Sequence, residues 1–383
     1  MPAARSLGEG YHVKSAKELA QDLLRQADIE INGSRPWDIQ VFDDRFYCRA
    51  LKEGSLGLGE AYMDGWWEAQ ALEEFFARLL AADIDAKVTG NWKIALLKLG
   101  QIICNWQTPS QATEVGEHHY DLGNDLFEAM LDRRLTYTCG YWANASNLDE
   151  AQEAKLDLVC RKLNLQPGQT VLDIGCGWGS FAKFAAERYQ ASVVGITVSK
   201  EQVELGNKLC AGLPVQIIFQ DYRSISGEFD HIVSLGMFEH VGYKNYRTYF
   251  RIAAEHLKPS GLFVLQTIGG NVSERCLDPW FEKYIFPNSN LPSPAQITKA
   301  IEGLFVLEDW HNFGPDYTKT LLAWYANFTA NWEKLRPRYG DRFFRMWKYY
   351  LLASAGSFKA RKNQLWQIVL SKRGVPGGYV SCR

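Results

Sequence analysis

Several features that would assign a chain to a special class of protein are missing from this sequence. Its 42 basic and 44 acidic residues leave a formal net charge of −2, so the total charge does not indicate a nucleic-acid partner. No apolar run approaches the roughly 18 residues that a membrane-spanning helix needs. The eight cysteines form no C-x-x-C pair and no secretory leader pattern is seen. We therefore expect reduced thiols in a cytoplasmic protein.

Aromatic residues, by contrast, are abundant. They make up 13% of the 383 residues, as 13 Trp, 18 Tyr and 20 Phe. Such a content is typical of a protein with a large apolar pocket or a surface that meets a lipid interface. An aromatic core would give the same composition, and composition alone does not separate these interpretations.

The most informative motif is the run Val-Leu-Asp-Ile-Gly-Cys-Gly-Trp-Gly at residues 171–179. An apolar segment breaks into alternating glycines, and the helical pattern SFAKFAAERY follows at once. Strand, glycine turn and helix together form the opening unit of a doubly wound α/β sheet that binds a nucleotide-like ligand. A dinucleotide fold would need its third glycine at position 180, which is Ser180. The spacing therefore argues against a pyrophosphate site.

The glycines of this turn are Gly175, Gly177 and Gly179, and an acid, Asp173, stands two residues before the first of them. This arrangement is typical of S-adenosylmethionine-dependent methyltransferases. Without Cβ atoms, the loop backbone can lie against the amino-acid half of the cofactor. Asp173 can order the loop and accept a hydrogen bond from the cofactor's ammonium group. The alternative is a glycine-rich turn with no ligand.

The chain divides by composition into three parts. Residues 1–90 predict a small, mostly helical domain, with a helix at 14–31, short strands near 29–34 and 38–45, a glycine-rich stretch at 46–65 and a further helix. Residues 91–116 include the polar segment NWQTPSQATEVG and are interpreted as a linker. Residues 117–383 form the second domain, which contains the glycine motif.

Four further strands are predicted after the first strand–helix pair, in ASVVGITVS, PVQIIFQDYR, FDHIVSLGMFEHV and SGLFVLQTIG. FVLEDWHNFG and LWQIVLSKRG are late strands suited to an antiparallel edge. This order predicts a Rossmann-like α/β fold with a mostly parallel sheet covered by helices. Ligands of such sheets bind at the carboxyl ends of the strands.

Candidate cofactor-binding residues lie at those ends. Thr197 and Gln202 follow the second strand, where many nucleotide-binding sheets place an acid for the ribose hydroxyls. Asp221 and Tyr222 follow the third strand, where they can bind an adenine amine and stack on its ring. A helix cap is the competing interpretation of Asp221.

Glu239 ends the fourth strand beside the expected sulfonium, while the neighbouring His240 is interpreted as a structural hydrogen-bonding residue. Residues 135–142 contain Tyr137, Thr138 and Cys139 and suit either a lid over the cofactor or a loop packed against the sheet. His118 and His119 have no third ligand at metal-binding spacing, so no metal site is predicted.

A late stretch, residues 334–350, alternates six basic residues with six aromatic ones. It fits a helix with a solvated basic face and an aromatic inner face. It also fits a surface for anionic lipid, because arginines meet phosphates while aromatic rings lie at the interface. A nucleic-acid surface is disfavoured by the near-neutral total charge.

Taken together, EGSLGLGEAYMDGWW, EHHYDLGNDLF, YTCGYW, VLDIGCGWG, GMFEHVG and EDWHNFGPDY resemble the bacterial cyclopropane-fatty-acyl-phospholipid synthases, from about residue 15 to near the C-terminus. The resemblance implies transfer of a methylene group from S-adenosylmethionine across a cis double bond of a phospholipid acyl chain. It also implies a homodimer with a lipid-engaging N-terminal domain. Such a protein is expected in the cytoplasm, peripheral at the inner face of the membrane.

The resemblance further implies that a bound bicarbonate ion takes up the proton lost before ring closure. Glu239 would orient this ion, with donors from Tyr317 and from the backbone at Cys139 and Ile268. The family usually carries a histidine where this chain has Gln266, whose amide can donate a hydrogen bond but carries no charge.

A second departure from the family pattern is Ser354, which stands where the family often has a cysteine. Transfer from a sulfonium needs no covalent enzyme intermediate, so this position is not assigned to catalysis. Two other functions remain open. One is a lipid C-methyltransferase that leaves a methyl branch or a hydroxylated chain, and the other is a cofactor-sensing lipid-binding protein with an inactive site.

Overall fold

The computed structural model describes residues 15–83, 123–274 and 277–383. The N-terminal range is mainly helical, as predicted, with two very short strands. Its elements are α1 (Ala16–Arg25), β1 (Gln40–Val41), α2 (Arg45–Glu53), α3 (Ser55–Met63), β2 (Trp67–Glu68) and α4 (Leu72–Ala81).

Several of the predicted boundaries in this range were wrong. The helix predicted at 14–31 is described from residue 16 and ends at Arg25, and the predicted strand at 29–34 is reduced to a single bridge from Ile31 to Ile39. The strand predicted at 38–45 shrinks to two residues. The carboxylate of Asp38 accepts hydrogen bonds from the backbone of Glu30 and Arg35, and these bonds hold the chain in a compact loop.

The remaining strands form one seven-stranded sheet in the order β5-β4-β3-β6-β7-β9-β8. Its strands are β3 (Thr170–Ile174), β4 (Ser192–Thr197), β5 (Val215–Phe219), β6 (Phe229–Leu235), β7 (Leu257–Gly270), β8 (Val306–Asn312) and β9 (Asn363–Ser371). The strands from β3 to β7 pair in parallel, whereas β9 runs antiparallel to both β7 and β8. The predicted α/β architecture and its antiparallel edge are therefore confirmed.

Helices cover both faces of this sheet. They are α5 (Asn124–Met130), α6 (Leu148–Lys162), α7 (Ser180–Tyr189), α8 (Lys200–Leu209), α9 (Tyr246–His256), α10 (Pro279–Tyr284), α11 (Pro294–Ile301), α12 (Pro315–Ala330) and α13 (Trp332–Lys359). Side chains of α6 and α7 pack on one face, with Val171 and Val193 of the sheet. Side chains of α9 and α11 pack on the other face, with Leu172 and Ile196. Two covered faces are what a doubly wound sheet requires.

The basic and aromatic stretch lies in α13 and packs against the N-terminal helices. Trp347 and Tyr349 belong to the same buried cluster as Trp67 and Phe75 of the N-terminal range. On the polar side, Arg345 and Lys348 both pair with Glu68, at 3.0 and 3.3 Å. Arg342 pairs with Asp64. These cations stabilise the contact between α13 and the N-terminal helices, which supports the interpretation of an aromatic inner face.

Some of the predicted features lie outside the described residues. The boundaries proposed at 90 and 116, the linker between them, and the pair His118 and His119 all fall within 84–122. Across the ranges that are described, no helix combines the length and the apolar character needed to cross a bilayer.

Candidate functional site

A cavity opens at the carboxyl ends of β3, β4, β5 and β6, where the sheet geometry predicts a ligand. Its empty volume is about 1270 Å³, including the part open to solvent. The lining contains nine of the ten residues predicted to bind the cofactor: Tyr137, Thr138, Asp173, Gly175, Gly177, Thr197, Gln202, Asp221 and Tyr222.

The glycine turn forms the floor of the cavity. Gly175 and Gly177 have φ angles of +81° and +56°, which favour glycine over residues that carry a Cβ. A Cβ on Gly175 would also lie 2.5 Å from the side chain of Met237. Gly179 is not among the lining residues, and a Cβ there would lie 2.6 Å from Ile217 of β5. The third glycine therefore lets α7 pack closely on the sheet.

Asp173 is the most buried acid of the cavity wall, with 1% of its surface exposed. Its Oδ1 atom has no hydrogen-bond partner among the described residues. Burial raises the pKa of this carboxyl to about 7, against an opposing attraction from the ammonium group of Lys155. A buried carboxylate without a partner is costly, so this site favours a ligand that brings a cation or a hydrogen-bond donor.

The ends of β4 and β5 carry smaller polar groups. Thr197 donates a hydrogen bond of 2.6 Å to the Oε1 atom of Gln202. Asp221 accepts from the backbone N–H of Arg223 at 2.8 Å and from its guanidinium at 2.9 Å. Asp221 thus caps the 3₁₀ turn at 222–224 and lines the cavity as well. The capping interpretation of this acid is therefore confirmed, and its role toward an adenine amine stays a prediction.

Residues 135–138 line one wall of the cavity, and the segment 135–142 to which they belong is anchored to α12. Thr320 of α12 accepts hydrogen bonds from the backbone N–H of Gly140 and from the indole of Trp142, at 3.1 and 2.9 Å. The hydroxyl of Tyr137 lies 2.8 Å from that of Tyr350 on α13. The segment is therefore a packed loop that also lines the cavity, and its role as a lid over the cofactor stays a prediction.

Glu239 lies behind this cavity rather than in its lining. Its Oε1 atom accepts the backbone N–H of Ile268 at 2.6 Å, so the structure brings these two predicted residues together. Its Oε2 atom is buried and has no partner in the described ranges. Burial raises the pKa of Glu239 to about 7.

Gln266 is fully buried on β7, two residues before Ile268. Its Oε1 atom accepts a 2.9 Å hydrogen bond from the side-chain amide of Gln367 on β9. Its own Nε2 donor has no partner among the residues described. A buried donor and a buried acceptor, on Gln266 and Glu239, are thus both left unsatisfied near the end of β7.

Cys139 and Tyr317 both lie at α12, Cys139 beside the helix and Tyr317 in its first turn. The sulfur of Cys139 lies 3.9 Å from the hydroxyl of Thr320, one turn along α12 from Tyr317. Burial holds the pKa of the Cys139 thiol well above its ordinary value, so its side chain is no nucleophile. The ring of Tyr317 packs on Phe358 with 4.6 Å between centroids.

The sequence interpretation missed two charged residues of the lining, Lys155 and Arg223. Lys155 lies on α6 among the buried residues of that helix, which include Ala151 and Val159. A lysine at helical spacing within an apolar face is a signal that could have identified it. His240, which also lines the cavity, bonds to Ser289 at 2.9 Å and has a pKa lowered by burial to about 4.

Comparisons with known proteins agree with this geometry. A family model described as mycolic acid cyclopropane synthetase matches residues 107–368. The cyclopropane-fatty-acyl-phospholipid synthase of Escherichia coli K12 is 52% identical over 94% of each chain. The sphingolipid C9-methyltransferase A of Emericella nidulans is 35% identical and covers 69% of this chain and 54% of its own length.

Solved structures of cyclopropane synthases are also similar to this chain. The cyclopropane synthase MmaA2 of Mycobacterium tuberculosis superimposes with a TM-score of 0.64 at 30% identity, covering 68% of this chain and 98% of its own. The mycolic acid cyclopropane synthase CmaA1, solved with S-adenosylhomocysteine (SAH), gives a TM-score of 0.63 at 32% identity with the same coverage.

Proposed function

The chain belongs to the mycolic acid cyclopropane synthetase family of S-adenosylmethionine-dependent methyltransferases, and from that premise we propose its reaction. It transfers a methylene group from S-adenosylmethionine across a cis double bond of a phospholipid acyl chain and forms a cyclopropane ring. Glu239 and Gln266 would hold a bicarbonate ion, which would supply the base. The phospholipid is supported by the 52% identity to the E. coli enzyme. Action as a homodimer, peripheral at the inner face of the membrane, is part of the proposal on the family resemblance.

The observation that carries the proposal is the pair of unsatisfied groups near the end of β7. Glu239 offers a buried acceptor and Gln266 a buried donor. Bicarbonate has a hydroxyl to donate to the first and a charged oxygen to accept from the second, so the chemistry of these two groups supports this ion. When bound, it supplies a small base for the proton that the added methyl group must lose. Glu239 would fix its orientation through the hydroxyl, and Gln266 would hold its charged edge.

The aromatic residues near the cavity wall suit the chemistry of the acyl chain. An alkene is a weak nucleophile, and positive charge develops on it when it attacks a sulfonium. Tyr137 lies against Phe127 and Trp324, with centroids 5.1 and 5.2 Å away. These rings exclude water, and their faces can stabilise a cation.

A second candidate reaction has specific support. The sphingolipid C9-methyltransferase of Emericella nidulans is 35% identical, so transfer to a lipid double bond without ring closure is a real alternative. The two products differ in whether the added carbon closes a three-membered ring.

The test is the product formed from vesicles of mono-unsaturated phospholipid and methyl-labelled S-adenosylmethionine. We expect acyl chains heavier by one methylene group, resistant to catalytic hydrogenation of double bonds, with the upfield proton resonances of a cis-cyclopropane. A branched or unsaturated product would replace the proposal by the second candidate. The absence of any labelled lipid, with SAH still bound, would indicate a cofactor-sensing protein.

In the same assay, Glu239→Gln should lower turnover on the order of a hundredfold, the usual cost of losing one preorganised active-site hydrogen bond. The amide keeps the shape but presents a donor as well as an acceptor to the bicarbonate hydroxyl. Affinity for SAH should stay unchanged in calorimetry. Glu255→Gln, on the half-exposed side of α9, is the matched control and should leave turnover unaltered. Full activity in Glu239→Gln would remove this residue from the mechanism.

A further inference from the structure

Lys155 stands out among the residues that line the cavity. It projects from α6 with 1% of its surface exposed, and its Nζ atom donates a 2.9 Å hydrogen bond to the hydroxyl of Thr138. A neutral hydroxyl does little to compensate for the desolvation of an ammonium group. Lysine is almost never fully buried without a charged partner, so the position calls for an explanation.

Neighbouring acids do not supply a direct partner. Asp132 attracts Lys155 through space, but its carboxylate already accepts the backbone N–H groups of Thr136 and Arg134, at 2.7 and 3.0 Å. Asp173 also attracts Lys155, yet no ion pair joins the two in the described part of the chain. One cation and one carboxylate therefore face the same cavity without touching.

This arrangement matches the charges of an amino acid. The methionine end of S-adenosylmethionine carries an ammonium and a carboxylate on adjacent carbons. Asp173 has an unsatisfied oxygen for the ammonium. The other lining cation, Arg223, is engaged with Asp221 at the end of β5. Lys155 is thus the cation placed beside Asp173, at the glycine turn where the methionine end is expected.

We infer that Lys155 binds the carboxylate of the cofactor's amino-acid moiety, and that Lys155 and Asp173 together recognise its zwitterion. Thr138 holds the ammonium group in place before the ligand arrives. This inference rests on the proposed placement of S-adenosylmethionine in the cavity. It makes Lys155 a binding residue with a defined chemical target, rather than a structural cation.

The test compares two ligands by calorimetry on the full-length protein: SAH and its analogue that lacks the carboxylate. We expect wild type to bind SAH roughly tenfold to a hundredfold more tightly, the value of one charge-assisted hydrogen bond. In Lys155→Met this preference should disappear, because SAH loses affinity while the analogue does not. Lys155→Arg should restore most of the preference.

Lys162→Met is the matched control. This second buried lysine lies two turns further along α6, 3.3 Å from His311 and 3.7 Å from Asp309, and it does not line the cavity. Its variant should keep the wild-type preference. Equal losses for both ligands in Lys155→Met would mean a structural role and would overturn the inference. Equal binding of both ligands by wild type would also overturn the inference, and this measurement does not depend on the folding of any variant. Failure of wild type to bind SAH at all would instead refute the proposed cofactor site.

Discussion

Asp173 lies near the end of β3 and Glu239 in the 3₁₀ turn that follows the neighbouring strand β6, and burial raises the pKa of each to about 7. Both residues were predicted because each follows a recognisable strand motif in the sequence. Their unsatisfied oxygens and shifted titration were not predictable, because burial depends on residues distant in the sequence. Lys155 was missed although its place within the apolar face of α6 is a signal in the sequence, because its position in the cavity wall depends on residues distant in the sequence.

The pKa of Asp173 makes cofactor affinity depend on pH. Below about 7 the carboxyl is mostly neutral in the free protein, and above that value it is a carboxylate that attracts the ligand ammonium. We expect SAH to bind more tightly at pH 7.5 than at pH 6, with release of a proton at the lower pH. Calorimetry in buffers of different ionisation enthalpy measures both quantities.

Asp173→Asn is the control for this dependence. The amide cannot titrate, so the variant should bind SAH weakly and with little change between pH 6 and 7.5. A variant that kept the wild-type pH dependence would assign the titration to another group, with Glu239 as the next candidate.

Among the elements, the wall segment 135–142 depends on one hydroxyl of α12. Thr320 accepts from Gly140 and Trp142 and donates to the carbonyl of Asp316. Thr320→Val keeps the shape but leaves the buried N–H of Gly140 and the half-buried indole N–H of Trp142 without this partner. We expect a loss of about 2–4 kcal/mol in the free energy of unfolding, from about 1–3 kcal/mol for the buried N–H left unpaired and about 1 kcal/mol for the lost indole hydrogen bond.

Urea denaturation measures this loss. The matched control is Thr318→Val, also on α12, whose hydroxyl makes a single hydrogen bond of 3.2 Å to the carbonyl of Ala355. Its cost should be about 1 kcal/mol. Equal costs for the two variants would show that Thr320 does not anchor the wall.

Elements with a regular apolar pattern were predictable, and those shaped by distant contacts were not. The five parallel strands were found because each is a short apolar run followed by a turn signal. The glycine-rich stretch at 46–65, for which no helix is predicted, forms α2 and α3. Gly59 lies inside α3 because a Cβ there would come within 2.3 Å of Trp280, a residue more than 200 positions away. No local pattern reveals such a contact.

At the scale of the whole molecule, the N-terminal helices and α13 share one core. Their backbones approach closely at Gly356, where a Cβ would lie 2.6 Å from that of Phe76 and 2.7 Å from the carbonyl oxygen of Glu73. Because the backbone of α4 would have to move, Gly356→Ala should destabilise the protein by about 1–3 kcal/mol. An unhindered Gly→Ala change in a helix would stabilise it instead.

Denaturation of the full chain, followed by fluorescence of the shared tryptophans, measures this effect. Gly270→Ala is the control, because the nearest atom to its Cβ is the carbonyl oxygen of Val272 at 3.6 Å, an ordinary contact. It should be nearly neutral. A stabilised Gly356→Ala would mean that the N-terminal helices are free to move away from α13.

The order of β7, β9 and β8 also decides when the sheet can form during synthesis. β9 lies between β7 and β8, although it follows β8 in the chain by 50 residues. Until the ribosome has released residues 363–371, β7 keeps an open edge and β8 has no strand to pair with. An open apolar edge is a template for aggregation, so the nascent chain depends on its last strand for protection. The same strand delivers Gln367 to Gln266, and the proposed bicarbonate site therefore cannot form before β9 pairs with β7.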